Sequence, residues 1–324
     1  ETVSNPKLCS ELDALAFAEL STLVAGGASD LHLAIPDILA PEEVIDVGYF
    51  GTGFAKGRKP TFSELAIEDY VSELKRGDFS SVRNMGDLKT SHEICVMKDG
   101  QADRSHRRKV YSCFVHETKH KGETYVLFDG QWYLVDRGFH AEIEKSYQSL
   151  LAKPFVTRTT ARNERDFIDE LLVRPDILCL DQTRASPAGA ARANLEPCDF
   201  LSTGRHLIHL KDGHASAPLS HLWNQALVSA QSFVSDAKFR ADFRKSVRAR
   251  ERKYSRSGFE ALVPDGRTKP VPSDFTIVFG VMRHAGAKTR VLDLPFFSKI
   301  ALRAVAQRLA LMGFTVELQL IAKV

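Results

Sequence analysis

From Asn163 onward the chain alternates amphipathic helical stretches with short, almost wholly apolar runs, and that rhythm leaves few folds open. Asn163–Val173 has helical spacing, Ile177–Leu180 is a short apolar run, and Cys198–Leu201 and His206–Leu210 are strand-like runs around Thr203-Gly204. Leu219–Val234 sets Leu219, Leu222, Trp223, Ala226, Leu227, Ala230, Phe233 and Val234 at helical spacing. Phe275–Met282 is apolar along nearly its whole length, as in a strand covered on both faces. Ser298–Met312 predicts a helix stopped by Gly313, and Phe314–Ile321 a closing strand. Strands separated in this way by helices build a mixed sheet flanked by helices.

The first part of the chain reads differently. Ser10–Val24 predicts a helix that Ser10 caps and Gly26-Gly27 ends, and Ser63–Lys75 predicts a second. Leu31–Ile35 is a short strand stopped by Pro36. Glu93–Met97, Val110–His116, Thr124–Phe128 and Trp132–Val135 are strand-like, with two-residue turns at Lys121-Gly122 and Asp129-Gly130. Phe139–Leu151 is helical and Ala185–Asn194 a loop. With 324 residues, two ordinary domains are expected. They are an α+β region with a β-meander over residues 1–150 and an α/β domain over residues 151–324.

Charge discriminates little: 44 Lys and Arg against 41 Asp and Glu leave a net charge of +3. Affinity for nucleic acid must therefore come from local patches. No apolar stretch is long enough to span a membrane, so no membrane partner is expected. Five cysteines, with no CxxC pair, argue against a disulfide framework and for a reducing, cytoplasmic location. The sequence does not begin with Met, which fits a piece of a longer chain working with a preceding segment or a protein partner.

The chemistry concentrates in Glu196-Pro197-Cys198-Asp199-Phe200-Leu201 and Leu207-Ile208-His209-Leu210-Lys211. An acidic residue on one strand and His-x-Lys on the next resemble the core of PD-(D/E)XK nucleases. There an Asp is followed by (D/E)-x-Lys on the neighbouring strand, in a restriction-endonuclease-like mixed sheet. Phosphodiester cleavage develops negative charge on oxygen. A divalent cation held by carboxylates stabilises that charge and lowers the pKa of its bound water. A lysine beside it orients or deprotonates the water. His209 and Lys211 share a strand face, because side chains alternate with a period of two.

The departure is His209, which stands where that pattern has Asp or Glu and brings no negative charge. A second carboxylate must come from Glu164, Asp181 or Glu196, or the site is degenerate. Glu164 lies on the preceding helix, where many such nucleases carry an acidic ligand. Asp181 ends an apolar run. Glu196 would face away from Asp199 in a regular strand unless Pro197 distorts it. On the following helix, Gln225 is a candidate to support Lys211 or a phosphate. Asp199, His209, Lys211 and Gln225 are thus the candidate catalytic residues. Asp199, Glu164, Asp181 and Glu196 are the candidate ligands of Mg²⁺ or Mn²⁺.

A basic run follows. Nine cations against two anions lie between Lys238 and Arg256. Arg244, Lys245, Arg248, Arg250, Arg252 and Lys253 are the candidates to hold a nucleic-acid backbone. A second cluster, Arg104, His106, Arg107, Arg108 and Lys109, is expected in a loop.

Several segments in order are similar to a sporadically distributed bacterial family of uncharacterised function. They are Tyr125–Tyr133, Glu196–Leu201, Leu207–Lys211, Leu219–Gln225 and Leu294–Lys299. The resemblance implies a mobile-element and phage-defence setting, and no catalytic residue is carried over from it. The expectation is a Mg²⁺- or Mn²⁺-dependent nuclease acting on DNA or RNA. The alternatives are a non-catalytic nucleic-acid-binding subunit on a degenerate nuclease fold and a protein-interaction scaffold in a defence complex.

Overall fold

Two-residue turns, caps and apolar periodicity build two compact units, Glu1–Glu142 and Ile143–Gly213 with Pro218–Ala285 and Leu292–Val324. The computed structural model describes residues 1–27, 29–33, 46–55, 60–62, 65–98, 101–188, 195–213, 216–285 and 291–324. The expected strand end at Ala34-Ile35, the helix start at Ser63-Glu64 and residues 189–194 lie outside them.

In the first unit, helix α1 (Pro6–Val24) starts at Asn5, whose side chain accepts the Lys7 and Leu8 N–H groups. It is followed by strands β1 (His32–Leu33) and β2 (Asp46–Phe50) and helices α2 (Ile67–Arg76) and α3 (Met85–Ser91). Strands β3 (Glu93–Lys98) and β4 (Gln101–Lys109), a helical turn α4 (Val110–Cys113), and strands β5 (Phe114–His120), β6 (Glu123–Phe128) and β7 (Gln131–Leu134) complete it. One antiparallel sheet has the order β1-β5-β6-β7 and the other β2-β3-β4. Both turn pairs, Lys121-Gly122 and Asp129-Gly130, have positive φ at each residue, the geometry that matches strand twist in a tight hairpin. The Asp13 carboxylate on α1 ties the unit together, accepting from Lys89 Nζ at 2.6 Å, Tyr111 Oη at 2.7 Å and Trp132 Nε1 at 2.9 Å.

Three expectations fail here. Ser10 lies inside α1 and does not cap it, because Asn5 satisfies the free N–H groups one turn earlier. The segment expected as one strand from Val110 is a helical turn followed by β5. Val110 N–H bonds His92 O, so the chain leaves the β3–β4 ladder at that point. The basic cluster expected in a loop is strand β4. Lys109 sits opposite Glu93 in the β3–β4 register, and Lys109 and Arg107 both pair with the Glu93 carboxylate. The side chains of Arg104 and His106 lie outside the described ones.

The second unit contains α5 (Arg137–Leu150, from Ile143 on), β8 (Arg158–Thr159), α6 (Glu164–Leu171), β9 (Ile177–Cys179), β10 (Phe200–Ser202) and β11 (His206–Asp212). Helices α7 (Ser216–Ser235) and α8 (Ala237–Tyr254), strand β12 (Thr276–Arg283), helix α9 (Phe296–Leu311) and strand β13 (Thr315–Lys323) follow. The mixed sheet has the order β8-β13-β12-β11-β10-β9. Strands β9, β10 and β11 are antiparallel neighbours, and β11, β12, β13 and β8 run parallel.

Alternation along the strands feeds two cores. Leu207, Ile277, Phe279 and Val281 pack with α7, α8 and α9 on one face. Ile208, Leu210, Val278 and Met282 pack with Phe167, Ile168 and Leu171 of α6 on the other. Burial on both faces is why β12 reads as one apolar run. Gly280 sits opposite Leu210, and a Cβ there would lie 2.5 Å from Leu210 Cδ2.

Helix α8 is anchored by its cap and by one buried cation. Asp236 accepts the Phe239 N–H. Arg240, 2 % exposed, donates to the carbonyls of Phe233, Val234 and Gly266, satisfying the end of α7. Arg240→Ala is expected to destabilise the protein by about 2–4 kcal/mol. Arg252→Ala, on the exposed face, is expected to change stability by less than about 0.5 kcal/mol. Urea unfolding of both variants checks this, and equal small shifts would contradict the anchoring role.

Candidate functional site

The connection between β9 and β10 leaves the sheet and returns to it. Its two ends stay paired because each ladder continues one residue past its strand. Leu180 N–H donates to Asp199 O at 2.7 Å, and Asp199 N–H to Ile208 O at 2.9 Å. Further out, Ala185 and Leu195 exchange both backbone hydrogen bonds, at 2.8 and 3.0 Å. This closure brings the residue just after β9, Asp181, back beside Glu196 and Asp199. The three carboxylates lie within 4.8 Å of one another.

Each is held differently. The Asp199 carboxylate, 7 % exposed, accepts the Leu210 N–H at Oδ2, 2.6 Å away. Its Oδ1 has no hydrogen-bond partner among the described residues. Glu196 precedes β10, so strand alternation does not turn it away from Asp199. Its carboxylate accepts the Gln182 N–H and Gln225 Nε2, the latter at 3.3 Å. Its carbonyl accepts Ser229 Oγ at 2.7 Å. The left-handed conformation of Gln182 turns its N–H toward Glu196. Asp181 faces Arg165 Nη1 at 3.6 Å, and its carbonyl accepts Arg250 Nη2 at 2.5 Å.

Proximity and burial push all three carboxyl groups toward their protonated forms. Burial raises Glu196 to about 7, with the Asp181 charge adding to it. Burial first, then the Glu196 charge, raises Asp199. Burial also raises Asp181. Removing water and gathering like charges both disfavour ionisation. A hard divalent cation relieves both effects, and oxygen-only donors suit Mg²⁺ or Mn²⁺. The free Oδ1 of Asp199 and the separation of the three groups fit such an ion.

The other candidates take distinct places. Lys211 Nζ pairs with Glu164 at 2.9 Å, both side chains about 30 % exposed. Asn163 caps α6 by accepting the Asp166 N–H, which sets Glu164 at the first helical position. Glu164 is therefore the partner of Lys211 and not one of the three converging carboxylates, although its charge reaches all of them. His209 is outside the cluster. Its ring is 2 % exposed and lies against Phe279, centroids 6.4 Å apart. Burial lowers its pKa to about 3, so it is neutral near pH 7. Gln225 contacts Glu196 and not Lys211.

The basic run is a helix whose cations are largely engaged. Arg244 and Arg248 both bind Glu260, and Arg244 also donates to Val263 O. Lys238 pairs with Asp242, and Arg256 donates to the Leu172 and Arg174 carbonyls. Arg250 is the one that reaches the carboxylate cluster. Lys253 lies over the Tyr254 ring at 4.9 Å. Among the described residues, exposed Lys245 and Arg252 have no ion pair. Sequence reasoning passed over Arg165, whose only signal was its place beside Glu164.

No curated protein and no solved structure matches the chain. A family model matches residues 1–322. The chain belongs to that family, the family of unknown function DUF6119.

Proposed function

We propose that the protein is a metal-dependent nuclease that hydrolyses phosphodiester bonds of DNA or RNA on a restriction-endonuclease-like core, in phage defence. Mg²⁺ or Mn²⁺ is its cofactor. The observation that carries this reading is the convergence of Asp181, Glu196 and Asp199 within 4.8 Å. The surrounding parts support it. An acidic residue and a lysine, Asp199 and Lys211, come from neighbouring strands. Glu164 comes from the preceding helix and Gln225 from the following one.

A bound divalent ion supplies positive charge to the non-bridging phosphate oxygens and acidity to water. Asp181, Glu196 and Asp199 would hold that ion. Gln225 and the Gln182 N–H fix the Glu196 carboxylate, and the Leu210 N–H fixes that of Asp199. Lys211, held by Glu164, orients the attacking water and offsets charge developing on the phosphate. His209, neutral and enclosed, packs the core and carries no proton in the reaction.

The direct test is cleavage of plasmid, single-stranded DNA and RNA with Mg²⁺ or Mn²⁺ by wild type, Lys211→Ala and Asp199→Ala, with folding checked by circular dichroism. Both variants are expected to lose activity by at least about 100-fold. Cleavage untouched by either substitution would contradict the assignment.

The protonation behaviour gives a second test. Glu196 is raised from 4.5 to about 7, so the folded, metal-free protein holds its proton more tightly than the unfolded chain. That contribution to stability is complete below pH 4.5 and is lost as pH rises through about 7. Metal needs the deprotonated carboxylate and competes with the proton. Mn²⁺ is therefore expected to raise the Tm more at pH 8 than at pH 6 in calorimetry. An equal or reversed effect would contradict the carboxylate site.

One observation favours a second reading, a non-catalytic nucleic-acid-binding subunit on a degenerate nuclease fold: His209 occupies the second acidic position of the pattern, buried and neutral. That reading predicts salt-sensitive binding that survives Asp199→Ala, with no cleavage by wild type.

A further inference from the structure

Arg165 and Arg250 meet the carboxylate cluster at Asp181, and Lys211 meets Glu164 beside it, the three held with unequal strength. Lys211 Nζ is 2.9 Å from Glu164, and Arg250 Nη2 is 2.5 Å from the Asp181 carbonyl. Both are engaged at hydrogen-bond distance. Arg165 is not. Its Nη1 lies 3.6 Å from Asp181 Oδ2 and its Nε 3.6 Å from Asp169 Oδ2, beyond hydrogen-bond length. Its side chain is 63 % exposed. Arg165 is the loosely held cation at the mouth of the cluster.

Charge sets an order of events. Glu164, Asp169, Asp181, Glu196 and Asp199 face Arg165, Lys211 and Arg250. The metal-free cluster lessens its negative charge by holding protons on Glu196 and Asp199; ionised for metal binding, the carboxylates outnumber the cations by two. One divalent cation removes that excess. It also takes over the neutralisation of Asp181, and like charge pushes the guanidinium outward. A planar fork of donors on a flexible stem is then available to an anion, and phosphate oxygens match its geometry.

Resting on the nuclease reading above, we propose that Arg165 is a metal-gated phosphate ligand. It neutralises Asp181 in the metal-free protein and contacts a backbone phosphate of the nucleic-acid strand once metal is bound. It positions the strand and takes no part in bond breaking.

The test reads two affinities that must move in opposite directions. Mn²⁺ binding is followed by electron paramagnetic resonance. Binding of fluorescein-labelled single-stranded DNA and of its RNA counterpart is followed by anisotropy, in Ca²⁺ and in EDTA, for wild type, Arg165→Gln and Arg165→Lys. Arg165→Gln is expected to bind Mn²⁺ more tightly, because a competing cation is gone. In Ca²⁺ it is expected to bind the preferred oligonucleotide about tenfold more weakly, with a salt slope smaller by about one. Arg165→Lys, which keeps the charge, is expected to recover part of that affinity. In EDTA all three proteins are expected to bind equally weakly. Unchanged oligonucleotide affinity, or weaker Mn²⁺ binding, in Arg165→Gln would overturn the inference and leave the nuclease reading standing. Wild-type protein that binds no Mn²⁺ would overturn both.

Discussion

Asp199 enters the β10–β11 ladder with both its backbone and its side chain. Its N–H donates to Ile208 O, its carbonyl accepts from Leu180, and its carboxylate accepts the Leu210 N–H. Three strands are therefore pinned at one residue, at the end of the sheet where the β9–β10 connection departs and returns. Asp181 and Glu196 are the two shoulders of that connection. Their approach to Asp199 follows from the pinning and from the Ala185–Leu195 pair further out. Lys211 is the residue after the one that holds the Asp199 carboxylate. The candidate site is thus an outcome of strand pairing, with few long side chains needing to find one another.

Such a cluster is a poor way to stabilise a fold. Each carboxyl group is buried or half-buried, and each raises the proton affinity of its neighbours. Groups placed only for packing would gain by being apolar, as the cores on both faces of this sheet are. The hydrogen bonds to Asp199 and Glu196 nevertheless hold the carboxylates facing one another. A ligand that neutralised them would give the arrangement a physical reason, and Arg165, Arg250 and Lys211 lie near enough to serve an anionic substrate in the proposed reaction.

Much of this was legible in the sequence, for local reasons. The 3.6-residue period of Leu219–Val234, the apolar run of β12 and the turn chemistry at Asp129-Gly130 are each decided within a few residues. So was the antiparallel hairpin that carries Asp199 and Lys211 on neighbouring strands, because a short turn at Thr203-Gly204 leaves one register. What was not legible depends on distant partners. No period encodes the closure that joins Asp181 to Glu196. The cations of α8 look free in one dimension because Glu260, Val263 and the end of α7, which engage them, lie elsewhere in the chain. The helical turn at Val110–Cys113 reads as strand because Val110, Tyr111, Cys113 and Phe114 suit either state. Only the change of sheet at that point decides between them. His209 looked like a site residue from its strand face, but the ring is enclosed against Phe279 and only Lys211, two positions further, emerges.

The central claim is that Asp181, Glu196 and Asp199 form one metal site. Anomalous diffraction from crystals grown with Mn²⁺ tests it most directly. The account predicts one strong peak among the three carboxylates, on the order of 2.0–2.6 Å from an oxygen of each, and its loss in Asp199→Asn. Mn²⁺ bound only elsewhere, or no peak under conditions in which the three groups are ionised, would contradict it.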